Sequence, residues 1–329
     1  MPSNMGNMGN MGNMGNMGNV GAMGAIAGVG AIYPDRIDLP FVDASGPSVW
    51  VHDGQGNFTE QRVTAGLNDL VDKKAAWQQH DWAAEWYAWL VVAEFTNTTD
   101  WQKIVLPLWD AQTEASDVTN LFRYAEDERS DALGEIISQG GSYEDFMAFF
   151  MGLLKMSAAS QPWTYRLLHV AGLVGILVAM HFKANPGIET DGKTPRAPRA
   201  RPSQTYPALM PPVAVPGHPS FPNGHATQSM LMALCAGEAM INRAPPDGIP
   251  DGAGWPFLVQ TLSRRIARNR EIAGLHYEQD ATAGFALARA TFGILFPKPL
   301  FYNMLTNAQK EWGPPPAVTA VTQTPAPSA

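Results

Sequence analysis

Cysteine is nearly missing from this chain: 329 residues contain one, Cys235. A single thiol forms no internal disulfide and builds no cysteine-based zinc site. It lies in the apolar run Met-Leu-Met-Ala-Leu-Cys-Ala-Gly and reads as a small buried hydrophobe. Positive charge is also scarce, with 22 Lys and Arg against 30 Asp and Glu, a net charge of −8. That balance argues against nucleic acid as a partner and against an anionic membrane face, because both call for a broad basic surface. No Lys or Arg opens the N-terminus as in a secretory signal. The expectation is a soluble protein, cytoplasmic or exported by a non-classical route. No apolar run reaches the ~20 residues of a membrane span. The longest, Leu167 to Met180, carries His169 and reads as a buried core helix.

What is present begins with low complexity. Five Met-Gly-Asn triplets run from Met5 to Asn19, followed by a Gly/Ala/Val stretch to about Ile32. Glycine at every third position without proline does not support a collagen helix. Residues 1–35 therefore read as a loosely packed arm, or as an assembly arm that packs through its methionines. From about Gly313 the Pro/Ala/Thr-rich end, 313–329, reads as a disordered tail. Between them, 36–312 reads as one helical domain. Trp77, Trp82, Trp86, Trp89 and Phe95 fall largely at three- and four-residue steps, the pattern of a buried helix face. Further helices are expected over Asp117–Gln139, Tyr143–Ser157, Trp163–Lys183, Ala226–Ile241, Pro256–Ile272 and Asp280–Phe296. Strand signals are few. The fold expected is an all-α helical bundle interrupted by one long Pro-rich loop, Asn185–Asn223, and loops of that length commonly carry function.

Three clusters hold the residues for chemistry. The first is Arg201-Pro202-Ser203-Gln204, with Lys183 and Lys193 upstream. The second runs from His218 through Pro222-Asn223-Gly224-His225 to Thr227. The third runs from Arg270 through His276 to Asp280. Arginine donates in a planar fork to phosphate-like oxygens, and lysine adds a point charge. Gly224 admits close approach of the backbone and precedes a helix start, where amides and the helix dipole favour an anion. Asp280 stands four residues after His276, so with a helix beginning between them it can orient one ring nitrogen and leave the other free. His225 is then the natural proton donor or acceptor on the opposite side. These are the parts of a site for one tetrahedral oxyanion.

The clusters resemble the three-part signature of the type 2 phosphatidic-acid phosphatase / vanadium haloperoxidase superfamily, which reads Lys-x6-Arg-Pro, Pro-Ser-Gly-His and Ser-Arg-x5-His-x3-Asp. Arg201-Pro202, Pro222-Asn223-Gly224-His225 and Arg270-x5-His276-x3-Asp280 match it in order. The resemblance implies a helical bundle of the soluble haloperoxidase or acid phosphatase type, often paired as a homodimer. It implies His276 as nucleophile toward phosphate or as ligand to vanadium, His225 as acid–base group, and Asp280 as the residue that orients His276. Arg201, Arg270 and the Gly224 backbone would hold oxyanion oxygens. Asn223 replaces the usual serine, and its amide can still donate; Asn269 stands where the serine before Arg270 would be. The lysine is out of register: Thr194 occupies its position. Lys183, restored by an insertion of about eleven residues, is preferred over the adjacent Lys193.

Two chemistries share such a site. A vanadate-loaded protein would oxidise halide with hydrogen peroxide; a cofactor-free one would hydrolyse a phosphomonoester through a phosphohistidine. The stretch from His218 to His225 resembles the haloperoxidase loop, which leans the expectation that way and makes His218 a candidate supporting residue. A degenerate, non-catalytic homologue is the third possibility.

Overall fold

The structure is a computed structural model that describes residues 48–52, 58–62, 83–110, 113–188, 192–244 and 254–313. The low-complexity arm, residues 314–329 of the tail, the start of the helical domain at 36 and Trp77 and Trp82 lie outside these residues. The chain divides into two compact units, Met1–Ala83 and Ala84–Ala329. The described part of the first is an antiparallel hairpin of β1 (Ser48–His52) and β2 (Phe58–Arg62), in register from Ser48 opposite Arg62 to His52 opposite Phe58. Val49, Trp50 and Val51 are residue types favoured in strands.

The second unit is helical: α1 (Ala84–Thr96), α2 (Glu114–Asp127), α3 (Arg129–Ser138), α4 (Tyr143–Leu154), α5 (Pro162–Ala184), the single turn α6 (Pro202–Thr205), α7 (Gly224–Ala239), α8 (Gly254–Ile272), α9 (Glu278–Leu295) and α10 (Pro299–Glu311). The described residues are thus mostly helical, as expected. Three details differ from the sequence reading. Tyr87, Val91 and Phe95 form the buried face of α1, whereas Trp86 and Trp89 are 44% and 47% exposed, because a step of 100° per residue rotates them off that face. The segment expected as one helix from Asp117 breaks at Glu128 into α2 and α3. Arg129, just past the break, donates to the carbonyls of Ile272 (2.9 Å) and Leu209 (2.8 Å). And α5 has 23 residues, long and apolar enough by length and composition to cross a membrane. It starts with Pro162 at its first position and is buried almost all round, the mark of a central helix.

Helix α7 is the hub, packed on by α5, α8 and α9. Small residues permit this. A methyl group at Gly284 of α9 would stand 2.7 Å from the Asn223 carbonyl oxygen and 2.9 Å from Ala226 Cβ. Gly284 thereby lets the second turn of α9 touch the start of α7, and the Asn223 amide donates to the Asp280 carbonyl (2.9 Å) across the contact. Gly284→Ala is expected to destabilise by roughly 1–3 kcal/mol through this overlap. An unchanged urea midpoint would contradict the close packing. The site lies where the main core meets a smaller cluster of Leu121, Tyr124, Ile136, Leu209, Ile272, Leu275 and Tyr277.

Candidate functional site

His276 sits in the short link between α8 and α9 and is 3% exposed. Its Nδ1 lies 3.4 Å from Asp280 Oδ2 and 3.3 Å from Ser220 Oγ, and its Nε2 lies 3.1 Å from Arg201 Nη1. A guanidinium can only donate, so Nε2 carries the lone pair and the ring proton is on Nδ1. Burial, reinforced by the charges of Arg201 and Lys183, holds His276 neutral well below the usual histidine range, against the pull of Asp280. Asp280, at the third position of α9, also accepts from the Tyr277 amide (3.0 Å) and from Ser220 Oγ (2.5 Å), while its other oxygen pairs with Arg199 (2.9 Å). Burial alone would raise this carboxyl; His276, Arg199 and Ser220 bring it down to about 2.

Arg201 bridges two histidines. Beyond its bond to His276, Nη2 donates to His218 Nδ1 (3.1 Å), Nε to the His218 carbonyl (3.1 Å) and Nη1 to the Leu275 carbonyl (3.0 Å). Burial pulls its guanidinium down to about 10, which leaves it charged at neutral pH. Lys183, in the last turn of α5, is 1% exposed; Lys193 is exposed. The Lys183 ammonium donates to the carbonyls of Pro219 (2.6 Å), Ser220 (2.9 Å) and Pro222 (2.7 Å). Its three protons are thus all used on the loop before α7. The structure sets Lys183 as a clamp on that loop whose charge reaches His276 and His225, rather than as a direct oxyanion donor. Burial lowers it to about 7.

The start of α7 carries Asn223, Gly224 and His225. Asn223 caps the helix: its Oδ1 accepts from the Ala226 amide (3.1 Å), so its Nδ2 faces elsewhere. Gly224 is buried, yet a methyl group there would meet nothing within 4 Å beyond its chain neighbours and its own helix backbone. The last turn of α3 anchors two further groups through its carbonyls, the end of a helix where donors and cations are favoured. His225 Nε2 donates to the Gln139 carbonyl (2.9 Å), and Arg270 Nη2 to the Ile136 carbonyl (2.7 Å). Nδ1 of His225 therefore carries the lone pair. Burial, then the charges of Arg270, Arg201 and Lys183, push His225 down to about 3. The Asn223 amide, one residue before Gly224, donates to the Asp280 carbonyl (2.9 Å), which ties the start of α7 to the segment that carries His276.

Several buried donors of these residues have no partner among the described residues: Arg270 Nε, Asn223 Nδ2, Gln139 Nε2, and Nε and Nη2 of Arg199. Unpaired buried donors are costly, and together with the open side of Gly224 they fit a small multi-oxygen anion. Among the described residues no three His, Cys, Asp or Glu side chains gather as a metal cluster; an oxyanion held by one imidazole and surrounding cations does not require one. No family model matches this sequence, and no curated protein matches it. The geometry stands on its own.

Sequence reasoning passed over Arg199, Ser220 and the α3 terminus. Ser220 lay inside a cluster already singled out, and Arg199 stands two residues before Arg201, so both were in view without a role. The contribution of Ile136 and Gln139 is made by main-chain carbonyls, for which no residue type is diagnostic. Asn269, in place of a serine, donates to Glu135 (2.9 Å) and Gln139 (3.0 Å) and ties α8 to α3.

Proposed function

We propose that this protein binds a tetrahedral oxyanion at His276 Nε2 and works as a vanadate-dependent, haloperoxidase-like enzyme. The observation that carries this is the His276 imidazole. It is buried and neutral, its proton is directed at Asp280 and Ser220, and its Nε2 lone pair faces the Arg201 cation. Arg270, Asn223 and the amide of Gly224 would hold the oxygens, with Arg201 and Lys183 adding charge. Bound vanadate would supply the Lewis-acid centre that activates hydrogen peroxide toward halide. His225 suits the accompanying proton movement: with Nε2–H fixed to Gln139, its neutral Nδ1 can accept a proton from peroxide.

The second reading, a phosphomonoesterase, draws on the same His276, whose Nε2 would attack phosphorus in line once Arg201 turns from it to the phosphate oxygens. That reaction asks His225 to give a proton to the leaving alcohol, whereas the haloperoxidase reaction asks it to take one from peroxide; its lowered value weighs on both alike, so activity and not geometry separates the two readings. The paired test is bromide-dependent dye halogenation with peroxide after loading with orthovanadate, against hydrolysis of p-nitrophenyl phosphate. Halogenation in wild type and its loss in His276→Ala is expected. Phosphate ester hydrolysis that vanadate merely inhibits would transfer the reading to the phosphatase. Neither activity would mark a degenerate site.

Asn223 offers a finer check. Asn223→Ser keeps a good helix cap and one donor, so vanadate affinity should stay within about tenfold of wild type. Asn223→Ala loses both, costing about 1 kcal/mol of stability and about 100-fold in oxyanion binding. Equal affinity in all three proteins would remove Asn223 from the site.

A further inference from the structure

Arg199 is the residue at this site that the oxyanion reading leaves without a task. It is buried, and it holds three different neighbours of His276. Its Nη1 pairs with Asp280 Oδ1 at 2.9 Å. Its guanidinium carbon lies 3.8 Å from the centre of the Tyr277 ring, with the Trp109 ring at 5.5 Å. Its carbonyl accepts from the Ser220 amide at 2.8 Å. Each contact restrains a different degree of freedom. The ion pair fixes which carboxylate oxygen faces His276, the stack fixes the residue next to His276 in the chain, and the main-chain bond fixes the loop carrying Ser220. The single Ser220 proton goes to Asp280 Oδ2 at 2.5 Å, leaving an Oγ lone pair to accept from His276 Nδ1–H. The direct contact from Nδ1 to Asp280 is the longer, at 3.4 Å, so Asp280 by itself is a weak orienting group.

We propose that Arg199 is a positioning residue that acts through Asp280 and Ser220 on the Nδ1 side, as Arg201 does on the Nε2 side, to hold His276 in its Nδ1–H tautomer, and that it keeps Nε2 the lone-pair donor when Arg201 turns to a bound anion. The role requires arginine, since only a planar cation can pair with the carboxylate in its own plane and stack on Tyr277 at once. Arg199 Nη1 is spent on Asp280, and Nε and Nη2 have no hydrogen-bond partner among the described residues. Its effect reaches the site only through the imidazole, as outer partners of a ligating histidine do elsewhere. The inference rests on the reading of His276 as the oxyanion ligand.

The test uses the full chain labelled with ¹⁵N-histidine, the ring-nitrogen shifts of His276, and equilibrium binding of orthovanadate. In wild type, Nε2 should resonate as an unprotonated nitrogen. In Arg199→Met both ring nitrogens should move toward the average of mixed tautomers, and vanadate affinity should fall by about tenfold or more. Arg199→Lys, which restores the charge without the stack, should recover part of both. A wild-type tautomer and affinity in Arg199→Met would overturn the proposal. If that variant fails to fold, Arg199→Gln, which keeps the stem and a neutral donor, is read in the same way. A tautomer shift in a protein whose wild type binds no vanadate would support the positioning role while ending the oxyanion reading, so the two fail separately.

Discussion

His276→Ala is expected to lower the affinity for orthovanadate and for inorganic phosphate by at least about 100-fold, the scale on which a central oxyanion-stabilising group acts. The argument is one of irreplaceability. Arg201 is already bonded to His218 and Leu275, and Lys183 is fully engaged with three carbonyls, so neither can take over the imidazole's position. The fold should survive the change, because Asp280 keeps its ion pair with Arg199 and its bonds from Ser220 and the Tyr277 amide. The stability loss should be roughly 1–3 kcal/mol, mostly from Arg201 Nη1 left short of an acceptor. Binding isotherms and urea unfolding measure the two effects independently. A variant that folds and binds as tightly as wild type would remove His276 from the ligand set.

The second large effect is acid lability of the ligand-free protein. His169 is buried against Tyr165 and Tyr143, whose hydroxyl meets its Nδ1 at 2.9 Å, and burial lowers it to about 4. His225 is lowered to about 3, and His276 is lowered as well. Each is neutral in the fold, and each takes up a proton near pH 6.5 once unfolded. Between 6.5 and the folded values the unfolded chain therefore binds more protons, so stability falls as pH falls. By pH 4 the loss amounts to roughly 3 kcal/mol for each of His169 and His225. Asp280 adds in the same direction below about 3.8, where its unfolded carboxyl protonates before the folded one, which holds out to about 2. The sum rivals the whole stability of a typical domain, so unfolding is expected between about pH 4 and 5. Denaturation midpoints that stay flat from pH 7 to 4.5 would contradict this. His225→Gln should flatten the slope by about one proton.

The parts of the molecule that were legible beforehand are those where residue type and spacing carry the physics. Tyr143–Leu154, Pro162–Ala184 and Glu278–Leu295 are amphipathic or apolar throughout and open with recognisable starts: Ser142 with Asp145, Pro162, and Asp280. Gly224 does open a helix, and the four-residue step from His276 to Asp280 corresponds to a 3.4 Å contact between their side chains. The break at Glu128 was not legible. The sequence on both sides is helix-forming, and what distinguishes α3 is the tertiary use of Arg129 and of its final carbonyls. The preference for Lys183 over Lys193 agrees with the burial of one and exposure of the other, but the task of Lys183, holding a loop by its carbonyls, could not be read from residue identities. Arg199 was hidden among neighbouring arginines because stacking on Tyr277 leaves no mark in spacing.

The most direct measurement is a crystal structure of the wild-type chain soaked with orthovanadate. It should show vanadium bonded to His276 Nε2, with its oxygens contacting Arg270, Asn223 and the Gly224 amide. An anion bound away from His276, or clear density for His276 with Arg201 still on its Nε2 at saturating vanadate, would contradict the account.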